Sequence, residues 1–67
     1  MKVLVALPSF NEAQNIVPLV TKILELSEQN YVVVVDDNSP DNTLQILEDA
    51  ISRMPPKDHQ RIHAIKR

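Results

Sequence analysis

The sequence predicts an α/β chain built on a parallel sheet, with elements in the order strand, helix, strand, helix, strand. Three observations carry this. Two short apolar runs, KVLVAL at 2–7 and YVVVV at 31–35, each end in a cluster of turn formers. The stretches after those turns switch to helical spacing, and residues 61–65 (RIHAI) alternate again as a third strand.

Residues 2–7 are apolar, partly β-branched and closed by Pro8, Ser9 and Asn11, which favours a strand buried on both faces. From Asn15 the apolar residues Ile16, Leu19, Val20, Ile23 and Leu24 recur on one helical face, opposite Lys22, Glu25 and Glu28. A helix over 15–28 with Asn15 as N-cap places Pro18 at the third helical position, where an N–H has no intrahelical partner to lose. Gln29 and Asn30 break it, and 31–35 is the second strand. Ser39 or Asp41 can cap the next helix, with Pro40 in its first turn. Leu44, Leu47, Ile51 and Met54 form its stripe until Pro55 and Pro56 stop it. Right-handed crossovers then predict the strand order 3-2-1, the mononucleotide-binding half of a doubly wound sheet.

Sixty-seven residues allow one small domain, and a chain this short buries only ~60% of its unfolded surface. There is no Cys, so neither a disulfide nor a thiolate metal site is available. A formal charge of -2, with only Arg61, Lys66 and Arg67 clustered near the tail, argues against nucleic acid as a partner. No apolar run approaches the ~20 residues of a membrane span, and the N-terminal run is too short for a signal-peptide core. The expected compartment is cytoplasmic. Gly is wholly absent, which is unexpected in a nucleotide-binding α/β domain, where average usage is ~7%.

In an open parallel sheet, ligands bind beyond the carboxyl ends of the strands. Both unusual motifs fall there: PSFNE after the first strand and DDNSPD after the second. Side chains alternate along a strand, so Asp36 and Asp37 face opposite ways. One carboxylate can accept N–H bonds from the turn at 38–41 while the other accepts from a ribose hydroxyl or base N–H, or both can simply cap the turn. Phe10, outside any apolar stripe, can stack on a base or plug the core. Glu12 can bind a ribose hydroxyl or act as a first-turn acid favoured by the helix dipole. Asn11 organises its loop. His59 and His63 lack partners for a metal site.

LPSFNEAQNI followed by VVVVDDNSPDNT resembles the start of the family 2 glycosyltransferases, and within them the dolichol- or polyprenyl-phosphate mannosyltransferases. Their opening reads P-T-Y-N-E-x-x-N-I and their second strand ends D-D-N/G-S-P-D-G-T. The resemblance implies a GT-A fold and transfer of a sugar from a GDP- or UDP-sugar, commonly GDP-mannose, to a lipid phosphate. It implies nucleotide-sugar contacts at Pro8, Phe10, Glu12, Val35 and Asp37. Asp36 is then structural, with Asn11, Ser39 and Asp41 shaping the site. Phe10 stands where Tyr is usual, Ser9 where Thr is usual, and Asn42 where Gly is usual.

The family's D-x-D motif, which binds a divalent ion (Mg or Mn), and its Gly-rich stretch have no counterpart here. The expectation is therefore a fragment, residues 1–67, that holds no metal ligands or catalytic residues and is inactive alone. Its parent would work at the cytoplasmic face of a membrane. A truncated three-stranded sheet exposes apolar surface, so self-association is expected. A response-regulator receiver is the alternative, weakened because receivers carry their acid pair after the first strand. A dinucleotide-binding module is disfavoured by the missing glycines.

Overall fold

The computed structural model describes all residues from Met1 to Arg67. The elements are β1 (Val3–Ser9), α1 (Ile16–Leu26), β2 (Asn30–Asp36), α2 (Thr43–Ser52), a short α3 (Pro56–His59) and β3 (Ile62–Lys66). All strand pairs are parallel and the order is β1-β2-β3, with β2 central. These are the neighbours of the expected 3-2-1 order, counted from the other edge. α3 was not expected; it replaces a simple stop after α2.

The valine run sets the centre. Val32, Val34 and Asp36 alternate onto the helix-covered face, where both valines are wholly buried. Val5 and Leu7 of β1 and Ile62 and Ala64 of β3 lie beside them in register. Ile16, Val20 and Leu24 of α1, four residues apart, close over this face, and α2 adds Leu47. The two helices pack against each other on this one side. A sheet wound in one direction from β1 to β3 carries both crossovers on the same face, so the other face stays uncovered. The expectation that β1 is buried on both faces is therefore corrected: Leu4 is 66% exposed, and Ile65 on β3 is 49% exposed. Leu19, expected in the buried stripe of α1, lies beside it and is largely exposed.

Pro8 sits inside β1 at a free edge. Val3 N–H donates to Gln29 O and Asp37 N–H to Ser9 O, so the odd-numbered residues of β1 face β2. Pro8 is out of phase with them, and its missing N–H falls on the unpaired side.

The helix ends are set by distant side chains. α1 ends at Leu26 rather than 28, turned by an extended Ser27. Asn30 Nδ2 donates to Ile23 O at 2.8 Å. The Arg61 guanidinium reaches Leu24 O at 3.0 Å and Ser27 O at 2.6 Å. It also reaches Asn30 O at 3.1 Å and Asp58 Oδ1 at 3.2 Å. A cation against the last carbonyls suits the helix dipole and satisfies acceptors that α1 itself leaves open.

At its start, Asn15 occupies the N-cap position but its side chain makes no capping bond. Asn15 and Ile16 N–H both donate to Glu12 O instead. α2 starts at Thr43, later than expected, because Asn42 is left-handed at φ 63° and cannot continue a helix. Pro40 therefore lies in the preceding turn, and neither Ser39 nor Asp41 is the N-cap residue.

Candidate functional site

Beyond the carboxyl ends of β1 and β2, on the uncovered face, lies a cleft of about 530 Å³. Ala6, Pro8 and Val35 form its apolar floor, and Phe10, Glu12 and Asp37 rise around it. All five residues singled out for nucleotide-sugar contact, Pro8, Phe10, Glu12, Val35 and Asp37, thus line a single cavity. Phe10 is 53% exposed, so it is no plug over the core. Arg67 completes the wall. The sequence shows it only as part of a thin basic cluster with Arg61 and Lys66 near the tail. The register held the signal: Lys66 pairs with Asp36, so the next residue falls beside Asp37. The chain's one ion pair is Arg61–Asp58, so the Arg67 guanidinium is free of Glu12 and Asp37.

The two adjacent aspartates have different surroundings. Asp36 is 2% exposed and turned toward the helices. Its Oδ1 accepts from Ser9 Oγ at 3.0 Å and Ser39 Oγ at 2.5 Å, and its Oδ2 from Ser39 N–H at 2.9 Å. Burial alone would raise its pKa, but the Ser39 hydroxyl and N–H, the Ser9 hydroxyl and the charge of Lys66 together hold it below the ordinary 3.8. Asp37 is exposed, on the cleft side.

Asp41 ties the next turn. Its Oδ1 accepts from Thr43 N–H at 3.1 Å and from the Thr43 hydroxyl, while Oδ2 accepts from Ala13 N–H at 3.1 Å. The Thr43 hydroxyl is the main cause holding its pKa below 3.8; burial opposes, and the backbone N–H groups of Ala13, Thr43 and Asp41 itself add to the lowering. So Asp41 satisfies the first N–H of α2 from one residue outside the cap position, as Asx turns do. Asn11, Asn38 and Asn42 are all left-handed, at φ 55°, 53° and 63°. Asn tolerates this region better than other residues with a side chain. Thr43 closes the motif DDNSPDNT, but the sequence alone gives it no role, because its partner Glu12 lies 31 positions away.

A smaller, mostly polar cavity of about 260 Å³ lies across β2, between the turn, α2 and Lys66. It contains Asp36 and Ser39 but none of the five expected contact residues. No group of three or more His, Cys, Asp or Glu side chains is placed to hold a metal ion. No helix is long and apolar enough to cross a membrane.

Residues 4–67 match the family described as Glycosyl transferase family 2. The chain belongs to this family. Among curated proteins it is similar to a dolichol-phosphate mannosyltransferase of Pyrococcus furiosus, 42% identical over 59 residues. That alignment covers 85% of this chain and 17% of the relative, so the chain spans under a fifth of that protein's length. No solved structure matches the chain. Family 2 membership displaces the receiver alternative. It also gives the cleft a context, because the matched residues run from β1 through β3 and include every residue that lines it.

Proposed function

We propose that this chain is the nucleotide-binding portion of a longer glycosyltransferase that moves a sugar, in the first instance mannose from GDP-mannose, onto a polyprenyl or dolichyl phosphate. The observation that carries the reading is the cleft: an apolar floor with an aromatic ring and two carboxylates at its rim, at the carboxyl edge of a parallel sheet. A nucleoside needs both parts, a flat apolar surface for its base and acceptors for its hydroxyl and N–H groups. In this reading Phe10 stacks on the base, with Val35 and Pro8 beneath it. Asp37 accepts from the base or ribose, and Glu12 from a ribose hydroxyl. Arg67 is placed to donate to a carbonyl or phosphate oxygen. Asn11, Asp36, Ser39 and Asp41 hold the two loops without touching the nucleotide.

The family resemblance implies a divalent cation, which would neutralise charge on the departing diphosphate. No three His, Cys, Asp or Glu side chains gather at one point in this chain. In this reading the cation's ligands come from other parts of the full-length protein, as the family resemblance implies, and no step is drawn through it. On this reading the 67 residues bind but do not catalyse, and the full-length enzyme works in the cytoplasm at the face of a membrane carrying its lipid acceptor.

Isothermal titration of the full-length protein with GDP, UDP and GDP-mannose tests the assignment. Charge-assisted hydrogen bonds contribute ~1.5–3 kcal/mol, so Asp37→Ala should weaken nucleotide binding about 10- to 100-fold. Absence of binding by the wild type, or affinity unchanged by Asp37→Ala, would refute it.

A further inference from the structure

The loop that carries Phe10 and Glu12 is held by side chains of the loop that follows β2. Three consecutive backbone N–H groups donate across the gap: Asn11 to Ser39 Oγ at 3.0 Å, Glu12 to Thr43 Oγ1 at 3.0 Å, and Ala13 to Asp41 Oδ2 at 3.1 Å. A hydroxyl has a single proton and two lone pairs. Ser39 gives its proton to Asp36 and Thr43 gives its proton to Asp41. Each carboxylate therefore fixes its hydroxyl as an acceptor toward the first loop. Thr43 is wholly buried, and Glu12 is half-buried beside it.

We propose that Thr43, with its rotor set by Asp41, is a positioning residue for the nucleotide site, fixing the backbone at Glu12 and so the place of the Glu12 carboxylate and the Phe10 ring at the cleft. This rests on the nucleotide site proposed above. Thr43 does not line the cleft; it acts on the ligand only through Glu12 and its neighbours.

The test compares Thr43→Val, which keeps the shape and removes the hydroxyl, with Thr43→Ser, which keeps the hydroxyl. GDP and UDP are titrated into the full-length protein, with Asp37→Ala, Glu12→Ala and the double variant Thr43→Val/Glu12→Ala alongside. Thr43→Val should weaken binding about tenfold, while Thr43→Ser stays within about twofold of wild type. In the double variant the two losses should fall well short of additive, because one acts through the other. A purely structural role would leave them additive.

Should Thr43→Val fail to fold, Asp41→Ala takes its place in the same cycle, since it removes the acceptor that sets the Thr43 rotor, together with the acceptor for Ala13 N–H. Wild-type affinity in Thr43→Val or Asp41→Ala, or full additivity with Glu12→Ala, overturns the proposal while leaving the site reading intact if Asp37→Ala still weakens binding. A wild type that binds neither nucleotide overturns both.

Discussion

Asp36→Asn is the most informative single substitution for the fold. The carboxylate is buried and accepts three hydrogen bonds, from Ser9 Oγ, Ser39 Oγ and Ser39 N–H. An amide of the same shape can offer only one oxygen to these three donors. If the oxygen stays with the hydroxyls, the NH₂ faces Ser39 N–H, donor against donor. If it flips, both hydroxyls must turn away. Ser39 Oγ already accepts from Asn11 N–H, so the disturbance spreads into the first loop. Hydrogen bonds to a charged group contribute ~1.5–3 kcal/mol, which places the net cost of Asp36→Asn at about 2 kcal/mol. For a domain of this size that corresponds to a drop of about 8–16 °C in Tm. Asp37→Asn, at an exposed position beside it, should stay within about 0.5 kcal/mol of wild type.

The pH dependence gives an independent check. The folded pKa of Asp36 lies below the ordinary 3.8, so in that interval the unfolded chain binds more protons than the folded one. The stabilisation is therefore fully present above pH 3.8 and is lost as pH falls through the lower folded value. Asp41, also lowered, adds loss in the same acid window. Urea unfolding followed by far-UV circular dichroism, at pH 7 and at steps below 4, measures both effects. The gap between wild type and Asp36→Asn should be widest at neutral pH and narrow on acidification. Equal losses in Asp36→Asn and Asp37→Asn, or a gap independent of pH, would refute the division between the two carboxylates.

Two further outcomes follow from the backbone and the open face. Asn42→Val should cost about 1–2 kcal/mol because a β-branched residue must take the left-handed conformation, whereas Asn42→Gly should be near neutral; urea midpoints of the two variants decide it. The 67-residue chain alone should self-associate through the uncovered apolar face around Leu4, Val33 and Ile65, raising its apparent mass with concentration in light scattering. A concentration-independent monomer would contradict this.

What the sequence made legible was whatever local pattern can encode. The valine run marks a strand whose Val32 and Val34 are buried while Val33 and Val35 take the other face, and the same period of two separates Asp36 from Asp37. Convergence of PSFNE and DDNSPD at one edge follows from parallel topology alone. What stayed hidden was non-local. The Arg61 contacts with α1 span 34 and 37 positions, and those of Asn11, Glu12 and Ala13 with the second loop span 28 to 31. No periodicity reports them. Ser39 and Asp41 read as helix caps for the same reason: both are good cap residues locally, but Ser39 is drawn to Asp36 and Asn11, and Asn42 breaks the helical path. The one-sided burial of β1 follows from the winding direction of a sheet that stops at three strands.

The missing glycines connect these features. Glycine normally serves left-handed turns and helix C-termini because it adopts positive φ without a Cβ clash. Here Asn11, Asn38 and Asn42 take the left-handed positions, and Arg61 and Asn30 satisfy the end of α1. A glycine in these turns would be permissive in the unfolded chain and loosely held in the folded one. A residue with a side chain has fewer unfolded conformations to lose. The hydrogen bonds that fix these turns run through backbone N–H groups and the side chains of Asp36, Ser39, Asp41 and Thr43. For the proposed nucleotide site, whose walls are two loops rather than two strands, stiffness of this kind is preorganisation. The loop carrying Phe10 and Glu12 is held in place before any ligand arrives, and less ordering entropy is lost on binding.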